Sequence, residues 1–386
     1  MKVRFGIVGL GHQGLNYAKY LFQGKIKNGE LSALCSSNIN KEEICKTEFP
    51  GVKFYKNYIN MLRSGNIDAV IVCVPHYFHP ELGIEALKND INLLIEKPAG
   101  VYTKQVRELN ELAKRKDNLS FGIFFNQRFN PLYQDVKRII DNGEIGDIRR
   151  TNWIITTWWR PHIYYEQSSW RGTWAGEGGG VLLNQAPHQL DLWQWICGMP
   201  TKIFSKIKFG YKKNITVEDE VTAIVEYPNG GTGVFITCTH DLMGTDRLEI
   251  HGDLGKIIID NSQKLTIKKL PKSETRISQE VTRDEVDRIV DTGDFRDIYI
   301  EEVKDFSDER QGHHCNLIEN FADNILYGTP LIAPGIEGIN QLILANGMLL
   351  SSWLGKEITL PLDEDIYLQE LNKRIIEEKS NKEAKH

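Results

Sequence analysis

The first third of the chain alternates short apolar runs with amphipathic segments, a pattern typical of strands followed by helices. The apolar runs predict strands at residues 3–8, 31–35, 52–55, 67–74, 92–95 and 119–125. The segments between them predict helices, among them 41–47, 80–87 and 103–116. Because continuous apolar runs are typical of strands buried on both faces, this succession predicts a doubly wound parallel sheet.

The pattern changes near residue 123, after which longer segments alternate polar and apolar residues. A helix is predicted at 132–141, and strands are predicted at 220–227, 232–239, 247–251, 256–260 and 265–270. The turn Pro228-Asn229-Gly230-Gly231 between two of these strands is a strong hairpin signal. We therefore expect an α/β protein with a Rossmann-type domain at 1–123 and, at 124–386, a domain built on an open, mostly antiparallel sheet with a helical face.

The remaining segments are less regular. Residues 271–312 are polar and acidic and predict a long excursion holding one short helix. Two further helices are predicted, 315–327 stopped by Gly328, and 336–354 closed by Gly355. The charged tail from Lys373 is expected to fray, and the chain shows no internal repeat.

Three glycines directly after the first apolar run give the most informative motif, Gly9-x-Gly11-x-x-Gly14. Gly9 would permit a tight turn, Gly11 would let backbone amides approach a pyrophosphate, and Gly14 would let the following helix pack closely on the strand. The alternative is a surface loop that happens to hold three glycines. The strand before and the helix after the motif favour dinucleotide binding.

Composition and charge exclude several classes of function. A net charge of −5 without a clustered basic stripe argues against nucleic-acid binding. The sequence shows no signal peptide and no apolar run near the ~20 residues of a membrane span. The cysteines form no CxxC pair and predict buried free thiols of a cytoplasmic protein; they are Cys35, Cys45, Cys73, Cys197, Cys238 and Cys315. Adjacent residues of a helix point apart, so His313-His314-Cys315 predicts a helix start rather than a metal site.

Glu96-Lys97-Pro98 follows a predicted parallel strand. Ligands of open α/β sheets bind outside the carboxyl ends of the strands, so Lys97 is expected to face the working end of a cofactor. A lysine there can hold a substrate hydroxyl and stabilise an alkoxide, and desolvation would lower its pKa. The alternative is a solvated lysine at a turn that Pro98 fixes, with a cis bond as one way to do so.

A second candidate cluster follows the glycine run 178–180. Asn184 and His188 are four residues apart and share a helix face, and Asp191 is placed to support His188. A histidine beside a lysine at a hydroxyl is a candidate general base. The alternative is a core histidine hydrogen-bonded to Asp191.

Aromatic residues are dense in the segment 153–174, where they are mixed with Arg160, His162 and Arg171. Flat apolar rings beside fixed polar donors are typical of ligand pockets. We expect Tyr165, Arg171 and Trp174 to contact substrate or cofactor, and the other rings to pack under the sheet or at an oligomer interface.

Taken in order along the chain, the glycine motif, Glu96-Lys97-Pro98 and the segment 178–195 with His188 resemble the Gfo/Idh/MocA family, the glucose–fructose oxidoreductase and inositol dehydrogenase group. The segment that begins at Phe125-Asn126 also resembles the family's domain junction. The resemblance implies hydride transfer between nicotinamide and a sugar or polyol carbon, with Lys97, His188 and Asn184 at the catalytic site. It also implies a homodimer or homotetramer. The implied cofactor contacts are Gly9, Leu10, Gly11, His12, Gln13, Gly14, Ser36, Ser37, Val74, Pro75, His79, Glu96, Lys97 and Asn126.

Two positions depart from the family pattern. Inositol dehydrogenases have an aspartate where this chain has Asn184, and an asparagine orients a hydroxyl but cannot take its proton. NAD-preferring domains carry an acid at the end of the second strand, where this chain has Cys35-Ser36-Ser37-Asn38. The choice between NAD and NADP stays open, with NADP the better match and Lys41 the nearest cation.

The sequence thus predicts an NAD(P)-dependent oxidoreductase that acts on a secondary hydroxyl or keto carbon of a sugar or cyclic polyol. One alternative keeps the fold but cleaves glycosidic bonds through a transient oxidation by bound nicotinamide. The other is a nicotinamide-binding sensor without catalysis, which would need neither Lys97 nor His188.

Overall fold

The computed structural model describes residues 1–293, 298–309 and 313–383. Its first sheet is parallel and contains β1 Val3–Val8, β2 Gly29–Cys35, β3 Lys53–Tyr55, β4 Ala69–Val72, β5 Asn92–Ile95 and β6 Phe121–Ile123. The connecting helices are α1 His12–Phe22, α2 Asn40–Glu48, α3 Tyr58–Leu62, α4 Phe78–Lys88 and α5 Thr103–Arg115. The strand order β3-β2-β1-β4-β5-β6 confirms the doubly wound prediction.

The apolar runs form the centre of this sheet as expected. All four residues of β4 are inaccessible to solvent, as continuous apolar strands between two helical layers should be. The order of the strands reverses between β1 and β4, and a crevice opens there at their carboxyl ends. The five-residue helix α3 was not predicted, because so short a segment carries no clear helical period.

The second sheet contains β7 Ile148–Ile155, β8 Lys202–Phe209, β9 Glu218–Glu226, β10 Thr232–Cys238, β11 Asp246–Gly252, β12 Gly255–Asp260, β13 Lys264–Lys269, β14 Ile300–Asp305 and β15 Ile358–Thr359. The helices of this half are α6 Pro131–Asp141, α7 His162–Glu166, α8 Pro187–Cys197, α9 Glu274–Glu280, α10 Arg283–Thr292, α11 His314–Tyr327, α12 Gly338–Leu354 and α13 Glu364–Glu383. Short 3-10 helices lie at Asn126–Phe129, Ser307–Glu309 and Gly335–Glu337.

The second sheet is mixed but mostly antiparallel. Its strand order is β14-β13-β12-β11-β7-β10-β9-β8-β15, and β7 pairs with β10 in parallel. The Pro228–Gly231 turn joins β9 to β10 as predicted, with Glu226 opposite Thr232. Helices α8 and α12 cover one face: Trp193 of α8 stacks on Phe235 with ring centroids 5.5 Å apart, which confirms the helical face.

Two expectations about the C-terminal half were wrong. The acidic segment 271–312 holds α9, α10 and β14 rather than one short helix, and β14 pairs with β13; its residues 294–297 and 310–312 lie outside the described part. The tail does not fray at Lys373, because α13 runs to Glu383 and Glu378 is 4% exposed. The Glu378 carboxylate accepts hydrogen bonds from the backbone N–H groups of Trp174 and Ala175, at 3.1 and 3.0 Å. Residues 384–386 lie outside the described part.

In the described residues, no helix has the length and apolar character needed to cross a membrane. The same residues contain no cluster of three histidine, cysteine or acidic side chains arranged to hold a metal ion.

Candidate active site

The glycine turn between β1 and α1 gives each glycine a separate role. Gly9 has φ +91°, and a Cβ on it would lie 2.3 Å from the Cys73 carbonyl oxygen. A Cβ on Gly14 would lie 2.0 Å from the Gly9 carbonyl oxygen, so the helix packs too closely for a side chain. A Cβ on Gly11 would meet nothing within 4 Å, because this residue faces open space.

The start of α1 is arranged to bind an anion. Gly11 is its N-cap and supplies no side-chain hydrogen bond, and its first turn carries no acidic residue. The free N–H groups and the positive end of the helix dipole therefore face the space beside Gly11 without a compensating charge. A pyrophosphate fits this position.

A cleft of about 970 Å³ runs from this turn along the carboxyl ends of the strands. Its walls include most of the predicted cofactor contacts, namely Gly9, Gly11, His12, Gln13, Gly14, Ser36, Ser37, Val74, Pro75, His79, Glu96 and Lys97. Leu10 and Asn126 are not in these walls; the Leu10 side chain is 4% exposed and that of Asn126 is 2% exposed. Gln167, Ser168, Trp170 and Arg171 of the aromatic segment close the cleft from the other domain.

His79 borders the cleft but is 1% exposed, so its predicted role as a cofactor contact does not fit its position. Its Nδ1 lies 2.7 Å from the Pro98 carbonyl oxygen and its Nε2 lies 2.7 Å from that of Val74. The ring therefore links two loops that border the cleft, and its role is to position them.

Glu96 and Lys97 sit where β5 ends. The Tyr17 hydroxyl and the Lys97 backbone N–H both donate to the Glu96 carboxylate, the latter at 2.9 Å. The Lys97–Pro98 peptide bond is cis. Lys97 Nζ donates to the Asn184 carbonyl oxygen at 2.9 Å, which joins the end of the first sheet to the other domain. Burial lowers the pKa of Lys97, while the charge of Glu96 acts in the opposite direction.

His188 lies in the first turn of α8, close enough to Lys97 for their charges to interact. Burial lowers the pKa of His188 well below its usual value, and the Lys97 ammonium adds to this effect. Its Nδ1 is buried and has no hydrogen-bond partner among the described residues. The imidazole is therefore neutral at pH 7.

Asp191 does not support His188, so both sequence readings of that pair were wrong. The Asp191 carboxylate binds the Arg128 guanidinium through two hydrogen bonds, at 2.6 and 2.9 Å, and both side chains are 1% exposed. Arg128 also reaches Glu337 at 2.5 Å. A buried guanidinium attracts a carboxylate more strongly than a neutral ring does, and Arg128 is brought to α8 by the fold rather than by nearness in sequence.

Glu177 is the residue of this site that the sequence analysis missed. It is 1% exposed and accepts hydrogen bonds from the Asn184 side-chain amide and, at 2.7 Å, from the Gly172 N–H. Burial raises the pKa of Glu177 to about 7. The available signal was a single acidic residue directly before the glycine run 178–180.

The three ligand contacts predicted in the aromatic segment lie in three different surroundings. Arg171 lines the cleft. Trp174 is 4% exposed and packs against Phe209 and Trp353, with ring centroids 5.8 and 5.5 Å away, so it belongs to the core. Tyr165 donates to Thr239 Oγ1 at 3.2 Å and lines another cavity, of about 740 Å³. Of these three residues, Trp174 thus contributes to packing, while Arg171 and Tyr165 line cavities.

Ser36 and Ser37 line the opposite end of the cleft, where a ribose would bind. The cation in this wall is Lys56 rather than the predicted Lys41. Strand β3 runs beside β2, and the Ser36 N–H donates to the Tyr55 carbonyl oxygen at 3.1 Å, which brings the next residue, Lys56, to the serines. Adjacent parallel strands end at the same edge, and that rule could have identified Lys56.

Comparisons with known proteins agree with this geometry. The profile of the oxidoreductase family with an NAD-binding Rossmann fold matches residues 3–124, and that of the GFO/IDH/MocA C-terminal domain matches residues 133–258. Myo-inositol 2-dehydrogenase from Thermotoga maritima is 25% identical over 94% of this chain and 100% of its own length.

Solved structures share the fold. The WlbA dehydrogenase from Bordetella pertussis, in complex with NADH and UDP-GlcNAcA, has a TM-score of 0.74 and 23% identity over 94% of this chain and 100% of its own. Levoglucosan dehydrogenase in complex with NADH has a TM-score of 0.76 and 16% identity, with the same coverage. The chain belongs to the GFO/IDH/MocA family of NAD-binding oxidoreductases.

Proposed function

We propose that this protein is a dehydrogenase or reductase for a secondary hydroxyl of a sugar or cyclic polyol. The observation that carries the proposal is the position of Lys97: it lines a cleft suited to a dinucleotide, its Nζ reaches the Asn184 carbonyl oxygen, and its charge acts on His188. The names of the relatives, which include an inositol dehydrogenase and a sugar-nucleotide complex, support this substrate class.

The reaction divides between cofactor and protein. Bound nicotinamide would supply the two-electron acceptor for the hydride of the alcohol carbon, and loss of the hydroxyl proton to the protein would complete the conversion to a carbonyl compound. Lys97 has an ammonium group that holds the reacting oxygen and stabilises its developing negative charge. His188 is neutral and accepts the hydroxyl proton, and Asn184 binds a neighbouring hydroxyl.

The finer assignments are part of the same proposal. NADP is the preferred cofactor, because Ser36, Ser37 and Lys56 offer a 2′-phosphate two hydroxyl groups and a cation. The predicted cofactor contacts that line the cleft keep their roles, apart from the buried His79, while Leu10 and Asn126 lie outside its walls. A homodimer or homotetramer is expected from family resemblance, and the six free thiols favour a cytoplasmic location.

A substrate screen tests the proposal. Purified protein is incubated with inositols, aldoses and nucleotide sugars, each with NAD⁺ and with NADP⁺, and the absorbance at the reduced-nicotinamide band is followed. We expect net cofactor reduction with at least one polyol or sugar. Product release from a glycoside without net reduction would instead support the glycoside-cleaving alternative, and cofactor binding without either reaction would support a sensor.

A further inference from the structure

Glu177 is a buried acid that contacts Asn184. Asn184 is the position at which inositol dehydrogenases have an aspartate. The two oxygens of Glu177 are used by different segments: Oε2 accepts from the Gly172 N–H at 2.7 Å and Oε1 accepts from Asn184 Nδ2. The glycines that follow allow no side chains, since a Cβ on Gly178 would lie 2.2 Å from a Val101 methyl group. The position of the carboxylate is therefore fixed by packing and by hydrogen bonds.

This contact determines which way the Asn184 amide points. Above about pH 7 the Glu177 carboxylate is ionised and offers only acceptors, so the NH₂ group of the amide must then face Glu177. The other amide atom, Oδ1, then points away from Glu177. No hydrogen bond to Oδ1 is found among the described residues, and Asn184 is only partly buried. Asn184 Oδ1 can consequently accept a hydrogen bond from a ligand that binds beside it.

The backbone of Asn184 is held as firmly as its side chain. Its N–H donates to the Gly180 carbonyl oxygen at 2.9 Å, and its carbonyl oxygen accepts from Lys97 Nζ at 2.9 Å. The Lys97 ammonium, a donor, is therefore held on the backbone of the same residue whose side chain offers the acceptor Oδ1. A carbonyl or alkoxide oxygen suits the first group, and a hydroxyl that donates suits the second.

We infer that Glu177 is a positioning residue for substrate specificity: it fixes the Asn184 amide so that Oδ1 accepts a hydrogen bond from a hydroxyl beside the reacting carbon. The inference rests on the proposed function and narrows its substrate class. The substrate is a vicinal diol, or the matching α-hydroxy ketone in the reverse direction. A deoxy analogue that lacks this second hydroxyl leaves Oδ1 without a partner and is a poor substrate.

The charged groups around Glu177 set the pH range of this arrangement. Lys97 and Arg171 favour its ionised form, Glu218 and Tyr165 interact with its charge, and the His76 ring contacts its carbonyl oxygen at 3.1 Å. The carboxyl gains a proton as the pH falls below about 7. It can then donate to Oδ1, the amide is no longer held in one orientation, and selectivity for the diol should fall.

The test compares a diol substrate from the screen with its deoxy analogue in wild type, Glu177→Gln and Asn184→Ala. For Glu177→Gln we expect kcat/KM for the diol to fall about 10- to 100-fold, mainly through KM, because a neutral amide can face Asn184 either way. The value for the deoxy analogue should stay within about twofold. The diol preference of wild type should decrease below pH 7, and that of Glu177→Gln should not change with pH. Glu166→Gln, an exposed acid in the same segment, is the matched control.

Each outcome bears on a different claim. Equal losses on both compounds would assign Glu177 a merely structural role and overturn the inference. If Glu177→Gln does not fold, Asn184→Ala still decides, since a variant that keeps the full diol preference contradicts the inference. If wild type oxidises no hydroxyl compound, the proposed function fails. The Glu177–Asn184 contact is then tested by thermal unfolding, where additive shifts of the two single variants in the double variant would overturn it.

Discussion

The two ends of the cleft are built in different ways. At the catalytic end, defined here by Lys97, Asn184, His188 and Glu177, side chains from both domains are desolvated and linked by hydrogen bonds. At the ribose end, defined by Ser36, Ser37 and Lys56, the walls are more open, and the Lys56 side chain is 63% exposed. Burial makes electrostatic interactions strong at the first end, and water screens them at the second.

This difference teaches where substitutions should matter most. When a charge is removed from the catalytic end, water cannot solvate the buried polar groups that it contacted. A charge removed from the ribose end is partly replaced by solvent and salt. The catalytic end should therefore control the rate by orders of magnitude, and the ribose end should only adjust cofactor preference.

The largest expected effect is that of Lys97→Met. The variant keeps most of the length of the side chain but removes the cation proposed to stabilise the developing alkoxide, so kcat should fall about 10²–10⁴-fold. Steady-state rates with the best substrate of the screen measure this. Lys88→Met removes an exposed lysine paired with Glu85 and should leave kcat unchanged. If Lys97→Met keeps more than half of the activity, the catalytic end has been misassigned.

The glycine turn lies between the two ends and allows binding to be separated from folding. Gly11→Val places a side chain in the open space reserved for the pyrophosphate, so cofactor affinity should fall at least about tenfold, with little change in thermal stability. Gly14→Ala forces a Cβ against the Gly9 carbonyl oxygen and should lower the free energy of unfolding by about 1–3 kcal/mol. Cofactor titration by calorimetry and thermal unfolding measure the two effects. A loss of stability in Gly11→Val equal to that in Gly14→Ala would contradict the separation.

The same contrast explains what could be predicted from the sequence. The first sheet, the glycine turn and Lys97 follow from local patterns, since a strand, its turn and its helix are contiguous. The polar partners that join distant segments do not: Arg128 binds Asp191, 63 residues away, and at the catalytic end Lys97 reaches Asn184 across 87 residues. Burial of Glu378 in the charged tail was also not predictable, because the backbone N–H groups that satisfy it belong to residues 174 and 175. Patterns of period two or 3.6 predict elements and their faces, but not which polar groups meet when two domains pack.

The smallest expected effect is at the ribose end. The Lys56 ammonium lies 3.5 Å from the Glu42 carboxylate, whereas the Lys46 ammonium lies closer to it, at 2.9 Å. The Lys56 ammonium is therefore available to a 2′-phosphate. Because exposed ion pairs contribute up to about 1 kcal/mol, Lys56→Ala should weaken NADP⁺ binding about fivefold and leave NAD⁺ binding unchanged. Lys41→Ala, the cation favoured by sequence position, is the matched control and should change neither. The NADP⁺ effect should shrink as salt is raised, because the interacting charges are exposed to solvent. Equal weakening of both cofactors would mean that Lys56 contacts a group they share, and the ribose end would then have no part in selecting between them.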